Sequence, residues 1–321
     1  MRSANVIKYI LKRLLMAVFV LLLVTVIVFV AVRLAPGDPV QAKIGPHGDY
    51  SPENVARVSA ALGLDKPIYV QYLVWVRDCL KGSFGYSLIN GADVGQLIAQ
   101  KIPVSMELIL VAMVLALLIS IPLGVYSALK KGSVFDQVVS VISTGLLAVP
   151  TFCVGLLLLI LISVKLRLLP SSGYVPFSEN PGQNLKLLIM PALTLGLAEQ
   201  ASLTRYIRSE TIEVLNSNYI RTARAKGLPV KVVNFKHAFK NVLVTVITLV
   251  GMRFAQLFGG TVIIEQLFGW SGLGWFTYQS IISRDYPAVQ ASVLLVAVIF
   301  VVVNMLVDIL YAVIDPRIKL E

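Results

Sequence analysis

The chain has 321 residues, 57% of them hydrophobic and 14% charged, with a mean hydropathy of +0.82. Soluble domains carry roughly 25% charged residues, so this composition excludes a water-soluble globule and indicates an integral membrane protein. A net charge of +11 would suggest nucleic acid as partner of a soluble protein, but here the cations flank apolar segments, so membrane orientation explains them and no nucleic-acid partner is expected.

In chain order, residues 1–9 form a short basic amphipathic lead-in, followed by the first of six apolar segments. These cover approximately 10–33, 104–126, 138–164, 185–205, 242–263 and 291–314. Each is long enough for a helix rising 1.5 Å per residue to cross a hydrocarbon core of about 30 Å. The first is expected to be an uncleaved span rather than a signal peptide. Its apolar run, Leu14 to Val32, exceeds the usual core of about 7–15 residues, and no small-residue cleavage site follows. The short loops on one side hold Lys12, Arg13, Lys130, Lys131 and the many cations between Arg205 and Lys240, whereas those opposite hold only Lys165, Arg167, Lys186 and Arg284. The positive-inside rule therefore places both termini in the cytoplasm. Four regions follow: 1–33, an external subdomain at 34–103, a five-helix core at 104–314 and a cytoplasmic tail at 315–321.

Within the subdomain, Ser51-Pro52-Glu53 reads as a helix start, with a capping hydroxyl, Pro at the first helical position and an acid in the first turn. That helix should stop near Gly63. Pro67–Lys81 is a second helical stretch, with Tyr69, Tyr72, Leu73 and Val76 on one face. Gly82, Gly85, Gly91 and Gly95 mark turns. Cys79 is external and Cys153 lies in the third span, so no disulfide between them is expected. His47 and His237 fall on opposite sides, and no metal site is expected.

The segment 205–241 is strongly basic and reads as two helices with a bend. Gly227-Leu228-Pro229 is a helix-stop signal, because Gly accepts the left-handed conformation and Pro cannot continue the old helix. Ala223 and Ala225 have little side-chain bulk, which suits close approach by another surface. An ordinary basic inner loop is the competing reading.

A set of motifs in this order resembles the inner-membrane permease family of peptide- and nickel-type ABC importers. They are Arg33-Leu34-Ala35-Pro36-Gly37-Asp38-Pro39, Leu62-Gly63-Leu64-Asp65-Lys66-Pro67, Gln71-Tyr72-Leu73, and Tyr219-Ile220-Arg221-Thr222-Ala223-Arg224-Ala225-Lys226-Gly227-Leu228. Further on come Glu265-Gln266-Leu267-Phe268-Gly269-Trp270-Ser271-Gly272-Leu273-Gly274, Arg284-Asp285-Tyr286-Pro287, and Asp308 and Tyr311 with Asp315-Pro316-Arg317. The general importer motif, Glu-Ala-Ala, three residues, then Gly, is kept only in its last Ala and its Gly when aligned on Gly227, where Arg221-Thr222-Ala223 fills the first three places. The Arg-Thr-Ala-Arg-Ala-Lys-Gly form resembles the peptide/nickel branch.

The resemblance implies an all-α fold of six transmembrane helices, similar to type I ABC importer permeases, in a bacterial inner membrane. It implies a second, homologous permease subunit as heterodimer partner, two cytoplasmic ATPases and an external solute-binding protein. The helix at 217–228 would be the ATPase-coupling helix, carrying Tyr219, Arg221, Thr222, Ala223, Arg224, Ala225, Lys226 and Gly227. ATP and Mg would sit on the partner ATPases; the chain shows no Gly-x-x-x-x-Gly-Lys-Ser/Thr phosphate loop and is not expected to be an enzyme. The cargo would be di- or oligopeptides, or alternatively nickel or a metal chelate.

Ionisable groups within spans are candidate functional residues by default. Glu199 and Gln200 fall in the inner half of span four, Arg253 near the middle of span five, Asp308 near the inner end of span six and Glu107 near the outer end of span two. Glu199, Gln200 and Arg253 are candidates for the translocation path, with a buried structural Glu199–Arg253 pair as the alternative. Glu107 suits an interfacial position, and Asp308 a structural hydrogen bond. The 265–274 loop, with Glu265, Phe268, Gly272 and Gly274 and nearby Asp285, is expected to re-enter or pack over the outer mouth; an aromatic belt is the alternative. Gly259-Gly260 would permit close helix approach, and Pro103, Pro122, Pro150 and Pro191 are breaks tolerated in or at the ends of spans. Outside this class, an ion-driven secondary transporter using Glu199 and Asp308 remains, and a membrane-embedded enzyme lacks any catalytic constellation.

Overall fold

A computed structural model describes residues 2–34, 38–45 and 47–314. The helices in chain order are α1 (Arg2–Leu34), α2 (Pro39–Ile44), α3 (Pro52–Ala61), α4 (Ile68–Leu80), α5 (Val94–Leu129), α6 (Val134–Ala148) and α7 (Thr151–Leu158), the last continued by a π-helical stretch at Leu159–Lys165. Then come α8 (Pro181–Asn216), α9 (Asn218–Ala225), a second π-helical stretch at Val232–Phe239, α10 (Lys240–Phe268), α11 (Leu273–Ile282) and α12 (Tyr286–Ile314). The described residues contain no strand beyond an isolated bridge between Tyr86 and Asp93.

Five helices are long and apolar enough to cross a membrane, and a sixth span is α6 with α7 and its π extension, bent by 100°. The span expected at 138–164, with Pro150 as a break, is thus two helical pieces set at a sharp angle. The cause is local. Pro150 has no N–H to donate and disfavours the helical conformation in the residue before it; Val149 is extended, at φ −91° and ψ 128°. A correction concerns 205–241. Its first part is not a separate helix, because α8 runs on unbroken to Asn216, and its last part feeds through the π-helical stretch into α10.

The chain divides into two compact units. One holds the chain up to Ser105 together with Ser271–Met305. Here Ser51 caps α3 as expected, its hydroxyl accepting from Asn54 N–H. Phe29 of α1 meets the ring of Tyr72 edge-on at 5.2 Å, and Thr25 shares a 2.9 Å hydrogen bond with the Tyr72 hydroxyl. Val94 and Ile98 at the start of α5 pack with Leu273, Ala288 and Ala291 in a buried apolar cluster.

The other unit holds Met106–Trp270 and the chain from Leu306. Its centre is α8, which packs against α6, α7 and α10. Asn180 caps α8 by accepting from Gln183 N–H, with Pro181 in the first turn. Two glycines set how closely α5 and α8 approach. A Cβ at Gly124 would lie 2.9 Å from Thr204 O, and one at Gly196 would lie 3.0 Å from Ala112 O. Such small-residue contacts are the usual means of bringing membrane helices together, where lipid removes the hydrophobic drive.

Candidate coupling helix and polar residues of the spans

Helix α9 is short and held from one side. Ile220 is fully buried and Ala223 nearly so; they pack with Val233 and Ala238 of the following π-helical stretch and with Val214 and Leu215 at the end of α8. Burying one isoleucine side chain contributes about 1.5–3 kcal/mol, enough to seat a single two-turn helix that could not persist alone. The helix ends at Gly227, whose φ of +74° is left-handed, a conformation that a residue with a Cβ adopts at a cost. Tyr219, Arg221, Thr222, Arg224, Ala225, Lys226 and Gly227 are all exposed. Ala223 points the other way. Its small side chain lets α9 sit closely on its own chain.

Among the span residues, Glu199 and Gln200 stand on α8 and Arg253 on α10. Arg253 Nη2 donates to Ser202 Oγ at 2.7 Å; no ion pair between Arg253 and Glu199 is found among the described residues. Glu199 Oε2 is buried and accepts no hydrogen bond. Gln200 is buried and its amide donates to Thr204 Oγ1 at 3.3 Å. The side chain of Asp308, and residues Ala35–Gly37 and Asp315–Arg317 of the motifs, lie outside the described residues.

In the 265–274 region, Glu265, Phe268 and Trp270 are almost completely buried. The Trp270 ring meets Tyr174 edge-on at 4.7 Å, and Gly173 N–H donates to Phe268 O at 2.9 Å. An exposed aromatic belt is therefore not what Phe268 and Trp270 form. Gly272 and Gly274 are buried at the start of α11, where Leu273 N–H donates to Ser105 Oγ at 2.8 Å. Asp285 is buried. It accepts from the Ser87 hydroxyl and, at 3.0 Å, from Leu88 N–H, tying the turn before α5 to the residue preceding α12.

These elements carry a family signature that runs almost end to end. Residues 120–320 match the family described as binding-protein-dependent transport system inner membrane component. Residues 6–109 match the N-terminal region of binding-protein-dependent transport system membrane components. The chain belongs to this family. The permease is 41% identical over 314 residues to the oligopeptide transport system permease protein AppB of Bacillus subtilis strain 168, covering 97% of this chain and 99% of that one. It is 41% identical over 312 residues to a putative peptide transport system permease of Brucella abortus strain 2308, covering 97% and 99%. It is 37% identical over 311 residues to the glutathione transport system permease GsiC of Salmonella typhi, covering 97% and 98%. The permease thus has the all-α, multi-pass fold of type I ABC importers and is a membrane subunit of a binding-protein-dependent importer.

One cluster in the permease was not singled out from the sequence. Asp136, at the start of α6, is 95% buried as a side chain and forms a two-point ion pair with Arg208 of α8, Nε to Oδ1 at 2.5 Å and Nη2 to Oδ2 at 2.7 Å. It also accepts from the Ser127 hydroxyl near the end of α5 and, at 2.9 Å, from Gly132 N–H. One carboxylate therefore joins α5, the 130–133 turn, α6 and the extension of α8 that leads to α9. The available signal was an acid three residues after a capping serine, Ser133, at the end of a basic turn. Arg208 by itself reads as one more cation of the basic inner segment.

Proposed function

We propose that this subunit forms half of the translocation pathway of an ATP-driven peptide importer, with α9 as the helix that docks a cytoplasmic ATPase. The observation that carries the reading is near-complete alignment, at 41% identity, with a permease named for oligopeptide transport. The geometry supports the docking role. Helix α9 presents Tyr219, Arg221, Arg224 and Lys226 outward from an apolar base and hangs from α8, a 36-residue helix packed against α6, α7 and α10. Closure of the ATPases would push α9, and α8 would carry that displacement to the span residues, in alternating access between two states. The remaining partners are a homologous second permease in a heterodimer and an external solute-binding protein. The termini and the 205–241 segment face the cytoplasm, in keeping with the positive-inside distribution. Among the polar span residues, Glu199, with its unpartnered buried oxygen, is the foremost candidate to line the path. Gln200 and Arg253 flank it.

The test is a gentle detergent pull-down of the tagged chain, followed by uptake of labelled di-, tri- and pentapeptides in vesicles from cells that express the recovered subunits. Co-purification of a second permease and an ATPase, with ATP-dependent peptide uptake, is the expected result. A chain that purifies alone and moves solute on an ion gradient without ATP would overturn the reading. ATP-dependent uptake of nickel or a metal chelate but not of peptides would retain the ATPase coupling and replace the cargo.

A further inference from the structure

Two hollows in the unit formed by the chain up to Ser105 and Ser271–Met305 share Val32 and Tyr286 as walls. The first, about 510 Å³, is lined by Arg33, Asp38, Lys66 and Gln71, and by Tyr286 and Gln290 of α12. The second, about 520 Å³, is lined by apolar side chains apart from Arg284 and Tyr286, running between Ile27–Val32 of α1 and the Ile281–Val293 stretch. Both are within the range of about 300–1,000 Å³ usual for small-ligand sites.

The polar hollow holds groups without partners. Gln290 is only 7% exposed, and its Nε2 has no hydrogen-bond acceptor; nor has the buried Tyr286 hydroxyl any partner. Buried donors are rarely left in this state, because each keeps its full desolvation cost. Arg33 is fixed by neutral groups. Its guanidinium lies 3.4 Å over the Phe29 ring and donates to Gln71 Oε1 at 2.7 Å, with no ion-pair partner among the described residues. Two cations, Arg33 and Lys66, against the single carboxylate of Asp38 leave the hollow one positive charge in excess.

The depth relation specifies the ligand further. Arg33 stands in the last turn of α1, at the end of a membrane-spanning helix. Ile27 lies about 9 Å deeper at 1.5 Å per residue, within the hydrocarbon. A polar recess with excess positive charge at the headgroup level therefore adjoins an apolar groove at the acyl level, with Val32 and Tyr286 as common walls.

We propose that these two adjoining hollows together bind a phospholipid, its phosphodiester paired with Arg33 and taken up by Tyr286 and Gln290 as their side chains turn into the polar hollow, and one acyl chain lying against Ile27–Val32 and Ile281–Val293. A phosphodiester supplies the single negative charge and the acceptor oxygens that the unpartnered donors lack. The site rests neither on the cargo nor on which side of the membrane this end faces, so its failure would leave the importer reading intact.

Two experiments on the full chain, purified with its accompanying subunits, test it. In the first, a phosphatidylglycerol carrying a diazirine on its acyl chain is photolysed with the unmodified protein. Labelling should concentrate on Ile27–Val32 and Ile281–Val293, and unlabelled phosphatidylglycerol should compete whereas inorganic phosphate at the same concentration should not. Labelling without enrichment there would overturn the proposal. So would competition by phosphate alone, which would indicate a free-anion site, or a protein cross-link in the groove, which would indicate a subunit contact. In the second, retained phospholipid is counted by native mass spectrometry in the Tyr286→Phe/Gln290→Leu double variant and in Val293→Trp, which fills only the groove. Loss of two hydrogen bonds should lower retention about tenfold in the first variant, and the second should show a loss of similar size. Unchanged retention in both variants overturns the site, and the unmodified-protein experiment decides alone if a variant does not fold.

Discussion

Asp136→Ala is the substitution through which the role of the α6–α8 junction can be measured. It removes a carboxylate that accepts two bonds from Arg208, one from Ser127 and one from Gly132. Breaking a buried pair from one side costs about 3–5 kcal/mol. Because the Arg208 side chain is 27% exposed, the stranded guanidinium can partly rehydrate, which sets the expected loss at the lower end, about 3 kcal/mol. Arg208→Ala leaves Asp136, 5% exposed, without its cation and should cost at least as much. The double variant should be no worse than either single, because neither charge is then stranded; a cycle of the four proteins should therefore return a coupling of about 3 kcal/mol, the upper end of the range for contacting residues. The assay is thermal unfolding in detergent alongside vesicle uptake. Uptake should fall further in the single variants than membrane abundance does, since α8 would lose its attachment just before it reaches α9. Additive effects of the two substitutions, or full uptake in Asp136→Ala, would refute the view that this pair fixes the lever arm of the coupling helix.

Other substitutions report on separate elements. Arg221→Glu/Arg224→Glu should leave the chain inserted and folded while abolishing ATPase co-purification; intact co-purification would remove α9 from the docking surface. Gly251→Ala would place a Cβ 2.1 Å from Val307 Cγ2, an overpacking expected to cost about 1–3 kcal/mol, read as a lower melting temperature that Val307→Ala restores. At Cys79, burial and, secondarily, the Asp78 carboxylate push the thiol up to about 11. The folded state thus holds its proton where an unfolded chain, with a thiol near 8.5, gives it up, so this site's contribution to stability is complete below about pH 8.5 and lost as pH rises towards 11. Alkylation of Cys79 in the folded protein should be slow at pH 7 and accelerate up to about pH 11; a rate that levels off near pH 9 would show an ordinary thiol.

How far each feature could be read from the residues depended on whether its cause was local. The six spans, the cap at Ser51 and the stop at Gly227 depend on hydropathy, one hydroxyl and one left-handed residue, all visible within a few positions. The break at Val149–Pro150 was also local in cause. Pro150 and Pro191 read alike as tolerated breaks, but α8 runs unbroken through Pro191, and only packing decides which proline bends its helix. Ala223 shows a different limit. Its small size was correctly tied to close approach, but which surface approaches depends on the fold of Val214–Ala238 around it, and that surface is its own chain. The Asp136–Arg208 pair spans 72 positions, so neither residue could name the other. The Arg253–Ser202 bond likewise joins two helices across 51 positions, and it displaces the more obvious expectation that opposite charges pair. Arg253 has found a neutral hydroxyl, which leaves Glu199 with a buried oxygen unanswered. In an alternating-access cycle, such a carboxylate needs a partner in at least one state, whether cargo, a proton or Arg253 itself. Glu199→Gln keeps the shape and removes the charge. If Glu199 meets cargo, the variant should change the ranking of peptides taken up rather than only the maximal rate. A uniform loss for all peptides would instead assign Glu199 to the moving structure.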